Sequence, residues 1–215
     1  MRTGGNVITT VVGALFPVRC AGCGRIADPV CPVCPACAAG LRRAPVLAVP
    51  PTLDAWGAAF AYEGVAREIV ARVKYRNERG PLPWLADAMV RALPEHPGPA
   101  AVVTWAPASA GHRRRSGFDH GELLARAVAR RLDLPAARLL VRDAGPAQTG
   151  LGRKARSPGP PLHPAGTGAR CRSVLLVDDV VTTGATLGAA AGALRRGGAR
   201  RVVAVTAAAT PPRPR

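Results

Sequence analysis

The chain has 215 residues, 30 Lys plus Arg against 13 Asp plus Glu, a formal charge of +17 and 48% hydrophobic residues. At about 100 to 200 residues per domain this accommodates one full domain with a small appendage, and the apolar content excludes a disordered chain. The longest apolar runs, 7–18 and 202–209, fall short of the roughly 20 residues of a membrane helix. The charge is nearly all arginine, since Lys74 and Lys154 are the only lysines, and it accompanies 24 Gly and 22 Pro. A composition biased toward Arg, Ala, Gly and Pro raises the charge whatever the partner, so +17 does not by itself assign a polyanion.

In chain order, a short apolar segment between Val7 and Phe16 ends at Pro17, and a cysteine module follows over 20–41. The stretch Ala44–Pro51, with Pro45, Pro50 and Pro51, reads as an extended linker. A strand is expected over 58–62, and Val65, Ile69, Val70 and Val73 recur at helical spacing up to Tyr75. A second helix is expected over 82–93 and a strand over 101–106, stopped by Pro107. An Arg-rich loop then leads into a helix over 121–132, with Asp119 and Glu122 at capping-box spacing. Val141 marks a further strand, 144–172 reads as a long Gly/Pro-rich loop, and Ser173–Val177 is a strand buried on both faces. A helix over 185–196 ends at Gly197-Gly198, and 201–206 is the last strand. Strands alternating with helices predict an α/β fold with a parallel sheet. The expected division is 1–43, 52–210 and a disordered tail over 211–215.

Five of the six cysteines lie between positions 20 and 37, and Cys171 stands apart. No apolar core with a small-residue cleavage site follows Met1-Arg2, so a reducing, cytoplasmic setting is expected. There, clustered cysteines bind metal more often than they form disulfides. Cys20-Ala21-Gly22-Cys23 and Cys34-Pro35-Ala36-Cys37 are two knuckles that place paired thiolates at the bite of tetrahedral Zn2+. Cys31-Pro32-Val33-Cys34 is also such a pair, and only one of the two can close a four-ligand site. The exits Gly24 and Ala38–Leu41 favour Cys20, Cys23, Cys34 and Cys37 as a structural set; reduced thiols without metal are the alternative.

The most specific segment runs from Val174 to Leu187. A buried strand delivers Asp178 and Asp179 at its carboxyl end, and Val180 and Val181 lead into a Thr182-Thr183-Gly184-Ala185-Thr186 turn that opens a helix. Amides freed at a helix start, threonine hydroxyls and a glycine make a cradle for a phosphate monoester. Two carboxylates just ahead of it can accept hydrogen bonds from vicinal ribose hydroxyls, at the end of an α/β sheet where ligands bind. The competing reading is a threonine N-cap beside a solvated turn. His120 and Lys74 stay open as well: acid–base or phosphate-binding groups, or a solvated helix start and an exposed helix face.

Asp178–Thr186 resembles the signature with which type I phosphoribosyltransferases bind 5-phosphoribosyl-1-pyrophosphate (PRPP). With the paired knuckles, Val73-Lys74-Tyr75-Arg76, the run Arg113 to Leu124 and Gln148-Thr149-Gly150-Leu151, the chain resembles the ComF family of amidophosphoribosyltransferase-like competence proteins. The resemblance implies an N-terminal zinc ribbon and a phosphoribosyltransferase-like sheet flanked by helices. It assigns the ribose hydroxyls to Asp178 and Asp179 and the 5-phosphate to Thr182, Thr183, Gly184, Ala185 and Thr186. It also implies a pyrophosphate loop with Arg113, Arg114 and Arg115, and Mg2+ bound largely through PRPP oxygens. Ser116-Gly117-Phe118-Asp119-His120 departs from the commoner Arg-Gly-Phe-Asn-Gln, so Arg115 would serve one position early. Two functions follow: phosphoribosyl transfer to an acceptor, or PRPP sensing with single-stranded DNA and a competence helicase as partners. The arginines at 113–115, 195–196 and 200–201 suit the second, whereas 4% aromatic residues do not.

Overall fold

The computed structural model describes residues 18–28, 31–46, 48, 50–109, 111, 114, 117–143, 160–170 and 172–212. Four strands, β1 (Ala55–Ala61), β2 (Val102–Trp105), β5 (Ser173–Val181) and β6 (Arg201–Ala209), form one sheet in the order β1-β6-β5-β2. Every pairing is parallel, with Leu175 opposite Val203 and Val103. A two-stranded antiparallel ribbon, β3 (Leu140–Arg142) with β4 (Leu162–Pro164), stands beside it. β4 lies inside the stretch expected to be a loop from 144 to 172; its three residues, one of them proline, are too short for a periodicity to register.

Alternation along the strands separates two cores. Beyond the five-residue α1 (Pro35–Ala39) of the cysteine module, Val103, Leu175, Val177, Val203 and Val205 face α2 (Gly64–Arg76), α3 (Leu82–Arg91) and α4 (His120–Leu132). Val102, Val174, Leu176, Val202 and Ala204 face α5 (Ala185–Arg196) and the ribbon. A sheet covered on both faces is why its central strands read as unbroken apolar runs. β5 and β6 extend three or four residues beyond their expected ends, because pairing continues through Asp178 opposite Thr206 and Val181 opposite Ala209. Local polarity at Asp178 hides a strand that its neighbour stabilises. Likewise β1 starts at Ala55, and Gly57 allows the end of α3 to lie on it: a β-carbon there would sit 2.1 Å from the Ala92 carbonyl oxygen.

Helix ends follow local chemistry. Asn77 and Asp133 take left-handed φ values of 54° and 53° where α2 and α4 stop. Asp119 caps α4 by accepting the Gly121 amide at 3.1 Å, but Glu122 pairs with Arg126 instead of reaching back, so the expected capping box is only half formed.

The cysteine module packs directly on α2. Cys20, Ala21, Val33 and Cys37 are buried in the same core as Ile69, Val70 and Val73. A β-carbon on Gly22 would lie 2.8 Å from Cys37 Sγ and 2.9 Å from Val65 Cγ1, so only glycine lets the first knuckle approach the helix this closely. The chain leaving the module is not a free linker. Arg43 bridges antiparallel to Phe60, the Ala61 amide donates to the Arg42 carbonyl at 2.9 Å, and Thr52 Oγ1 donates to the Gly188 carbonyl at 3.1 Å. Residues 42–43 thus cover the outer edge of β1, which protects an otherwise open strand. None of the described helices is long and apolar enough to cross a membrane.

Candidate functional site

At the carboxyl end of β5 the chain places Asp178 and Asp179 side by side in half-buried positions. The Asp179 amide donates to Asp178 Oδ1 at 2.9 Å. Burial, then the adjacent Asp179 charge, push the Asp178 carboxyl up to about 7, with Asp119 adding to the effect and Lys74 opposing it. Asp179 has a cationic partner: Lys74 Nζ on the last turn of α2 lies 2.8 Å from Asp179 Oδ2. Burial disfavours the Lys74 charge, yet the Asp179 carboxylate outweighs it and holds the ammonium above the usual lysine value. Lys74 and Asp179 meet His120 around a cavity of about 10 Å³, roughly the room one water needs.

His120 is 4% exposed, so of its two readings the solvated helix start is incorrect. The first turn of α4 tucks under the end of the sheet, and the His120 ring lies edge-on to Phe118 at 4.7 Å. Arg79 stacks over Phe118 at 5.3 Å. Asp119 ties this corner to the loop leaving β2, accepting the Ala108 amide at 3.0 Å through Oδ2 while Oδ1 caps α4.

Beyond the acidic pair, Thr182 and Thr183 are exposed and Gly184 adopts a left-handed φ of 78°, which turns the chain into α5. Thr183 Oγ1 accepts the Ala185 amide at 3.4 Å. The first amides of α5 have no intrahelical acceptors and carry the positive end of the helix dipole. A pocket of about 170 Å³ opens against Thr182, Thr183 and Gly184, with Trp56, Ala48 and Pro50 as its far wall. Of the predicted ligand residues, the structure brings Asp178, Asp179 and the turn 182–186 to one edge of the sheet, with Val180 and Val181 completing β5 beneath them. Arg114 is exposed. Arg113, Arg115, Gln148–Leu151 and Cys171 lie outside the described residues.

Two residues of the pocket wall were not legible as site residues. Pro50 and Ala48 belong to the presumed linker, and nothing local marks them. Lys74, left open between a phosphate-binding group and an exposed helix face, is instead brought against Asp179 with its side chain 27% exposed.

The second cluster is the cysteine module. Sulfur atoms of Cys20, Cys23, Cys34 and Cys37 all lie within 4.8 Å of one another, and Cys23 and Cys34 are 3.8 Å apart. Zinc–thiolate bonds of about 2.3 Å in a tetrahedron require sulfur–sulfur edges of about 3.8 Å, so the four-sulfur arrangement fits a metal such as zinc. Cys31 points elsewhere, donating to the Val33 carbonyl at 3.2 Å. The Cys34 amide donates to Cys20 Sγ at 3.3 Å. Arg25 Nε lies 3.5 Å from Cys23 Sγ and holds that thiol down to about 6, whereas burial and the neighbouring sulfurs push Cys37 up to about 12. A cation at the centre of the cluster would stabilise all four thiolates together.

No curated protein matches the chain. Residues 119–214 match the family model of the phosphoribosyl transferase domain, a stretch that begins at the cap of α4 and contains Asp178, Asp179 and the turn into α5. The chain is therefore an α/β protein with a parallel sheet flanked by helices, similar over residues 119–214 to phosphoribosyl transferase domains, and preceded by a four-cysteine cluster able to hold a metal.

Proposed function

We propose that this chain is a ComF-family, phosphoribosyltransferase-like protein that binds PRPP, with a structural zinc ion in its cysteine module. The observation that carries this reading is the juxtaposition of the Asp178–Asp179 pair with the turn into α5 at one edge of a parallel sheet. The turn offers amides, the Thr182, Thr183 and Thr186 hydroxyls and a helix dipole to the 5-phosphate. The carboxylates offer acceptors to the ribose 2- and 3-hydroxyls. Arg113, Arg114 and Arg115 follow the strand that borders β5 and would meet the pyrophosphate.

Transfer breaks the bond between ribose C1 and the pyrophosphate oxygen, the electron pair leaving with pyrophosphate. An acceptor nucleophile forms the new bond to C1 and releases its proton. Positioning and charge stabilisation supply most of what such a reaction needs from a protein. Mg2+, when bound with PRPP, neutralises charge on the leaving group. Zinc in the module is structural, because Cys20, Cys23, Cys34 and Cys37 fill a tetrahedron and leave no open position.

The DNA-handling alternative has less support in the fold. Arg195 pairs with Asp54, Arg201 with Glu95, and Arg196 donates to the Leu162 carbonyl, so three of the four arginines in these two runs are engaged within the fold. Calorimetry with PRPP and Mg2+ on wild type and on Asp178→Asn/Asp179→Asn tests the assignment. Binding by wild type and its loss in the double variant are expected; equal binding by both, or by neither, would overturn it.

A further inference from the structure

The acidic pair presents an electrostatic problem for the ligand proposed above. PRPP carries phosphate groups at both ends, and two unscreened carboxylates beneath its ribose would repel it. The groups facing the pair come from three elements. Asp178 and Asp179 lie on β5, Lys74 on α2 with the exposed Tyr75 beside it, and Asp119 and His120 at the start of α4, while the neighbouring β6 contributes the uncharged Thr206 and Ala207. Among the described residues, the ion pair made by the two aspartates is with Lys74. Lys74 is held in place by its surroundings: its side chain is 27% exposed, it borders Val70, Val73 and Leu85, and its ammonium touches Asp179 Oδ2.

We propose that Lys74 is a positioning residue of the ribose-phosphate site, one that cancels the Asp179 charge and fixes that carboxylate by one oxygen. The other oxygen is then left to accept a ribose hydroxyl. This rests on the PRPP reading and adds a residue outside the stretch that matches the phosphoribosyl transferase family. With Lys74 paired to Asp179 the two carboxylates present one net negative charge instead of two, and the Asp178 carboxyl, pushed up to about 7, lowers it further as pH falls.

Lys74→Met tests the proposal. An unneutralised unit charge about 8 Å from a phosphate, in a partly buried site, weakens binding by roughly 10- to 100-fold. At pH 8 the variant is expected to bind PRPP with Mg2+ that much more weakly than wild type. Binding within about threefold of wild type at pH 8 overturns the proposal. A merely structural lysine costs the same whether or not residue 179 carries a charge. A cycle with Asp179→Asn separates action through Asp179 from direct contact with phosphate. Lys74→Met should cost little in the Asp179→Asn background; an undiminished cost overturns the role through Asp179.

A ligand-free measurement keeps this proposal distinct from the ligand assignment. Carbon-13 carboxyl titration of the Asp178–Asp179 pair should move up by about one unit in Lys74→Met. No movement overturns the Lys74 role even if PRPP binds, whereas the shift in Lys74→Met together with a wild type that does not bind PRPP overturns the PRPP reading instead. Should Lys74→Met not fold, Lys74→Gln offers the same charge change with a polar end, read by the same titration.

Discussion

Val33 lies on the loop between the two cysteine knuckles and is 1% exposed, in one core with Cys20, Ala21 and Cys37 and with Ile69, Val70 and Val73 of α2. Val33→Ala removes two methyl groups, worth about 0.8 kcal/mol each in transfer. The hole left behind adds to this, because the Gly22 approach leaves the knuckle little freedom to collapse inward. The expected total is about 2 to 3 kcal/mol. For a domain of this size each kcal/mol lowers Tm by about 2 to 4 °C, so a fall of about 4 to 12 °C follows. Differential scanning calorimetry on metal-replete protein should show a single transition that moves as a whole, because module and sheet share one apolar core. Two transitions in wild type, with only the smaller one moved by Val33→Ala, would refute the reasoning and make the cysteine module an independent folding unit. The functional consequence is direct, since the helix on which the module packs carries Lys74 into contact with Asp179.

Three further outcomes follow from single contacts. Metal analysis should find about one zinc per chain in wild type and in Cys31→Ser but not in Cys34→Ser, since only the latter removes a sulfur from the four-membered cluster. Asp178→Asn should unfold at higher denaturant concentration than wild type at pH 8 and at the same concentration near pH 4. A carboxyl raised to about 7 binds its proton more tightly folded than unfolded, so its contribution falls as pH rises from about 4 through 7; equal stability at pH 8 contradicts this. Asp54 behaves oppositely. Burial opposes its charge, but the Val202 amide at 2.7 Å and Arg195 at 2.5 Å hold the carboxyl below its ordinary value. Its contribution is present above the unfolded value near 3.9 and lost as pH falls through the folded one. Asp54→Ala should therefore cost about 1 to 3 kcal/mol in urea titrations at pH 7 and progressively less in acid, and a difference that stayed constant with pH would rule the ion pair out as its source.

Much of the site was legible because its chemistry is local. A β-branched strand, two adjacent acids and a Thr-Thr-Gly-x-Thr turn are contiguous, so alternation and turn chemistry place them without reference to any partner. The same holds for the cysteine knuckles, where spacing alone sets the bite. What the sequence could not decide depends on pairing across the chain. Asp178 and Val181 belong to β5 because β6 lies beside them, and Lys74 faces Asp179 because α2 crosses that edge of the sheet. His120 is buried because the corner around Asp119 folds under the sheet, and Cys31 is excluded from the sulfur cluster because its side chain turns to Val33. Length left room for one domain with a small appendage, the alternation of strand and helix patterns determined its α/β class, and motif spacing determined where its acids and thiols lie. Only the tertiary structure decided which charges meet, since an ion pair between residues 74 and 179 depends on packing between elements far apart in the chain and leaves no periodicity in the residues that form it.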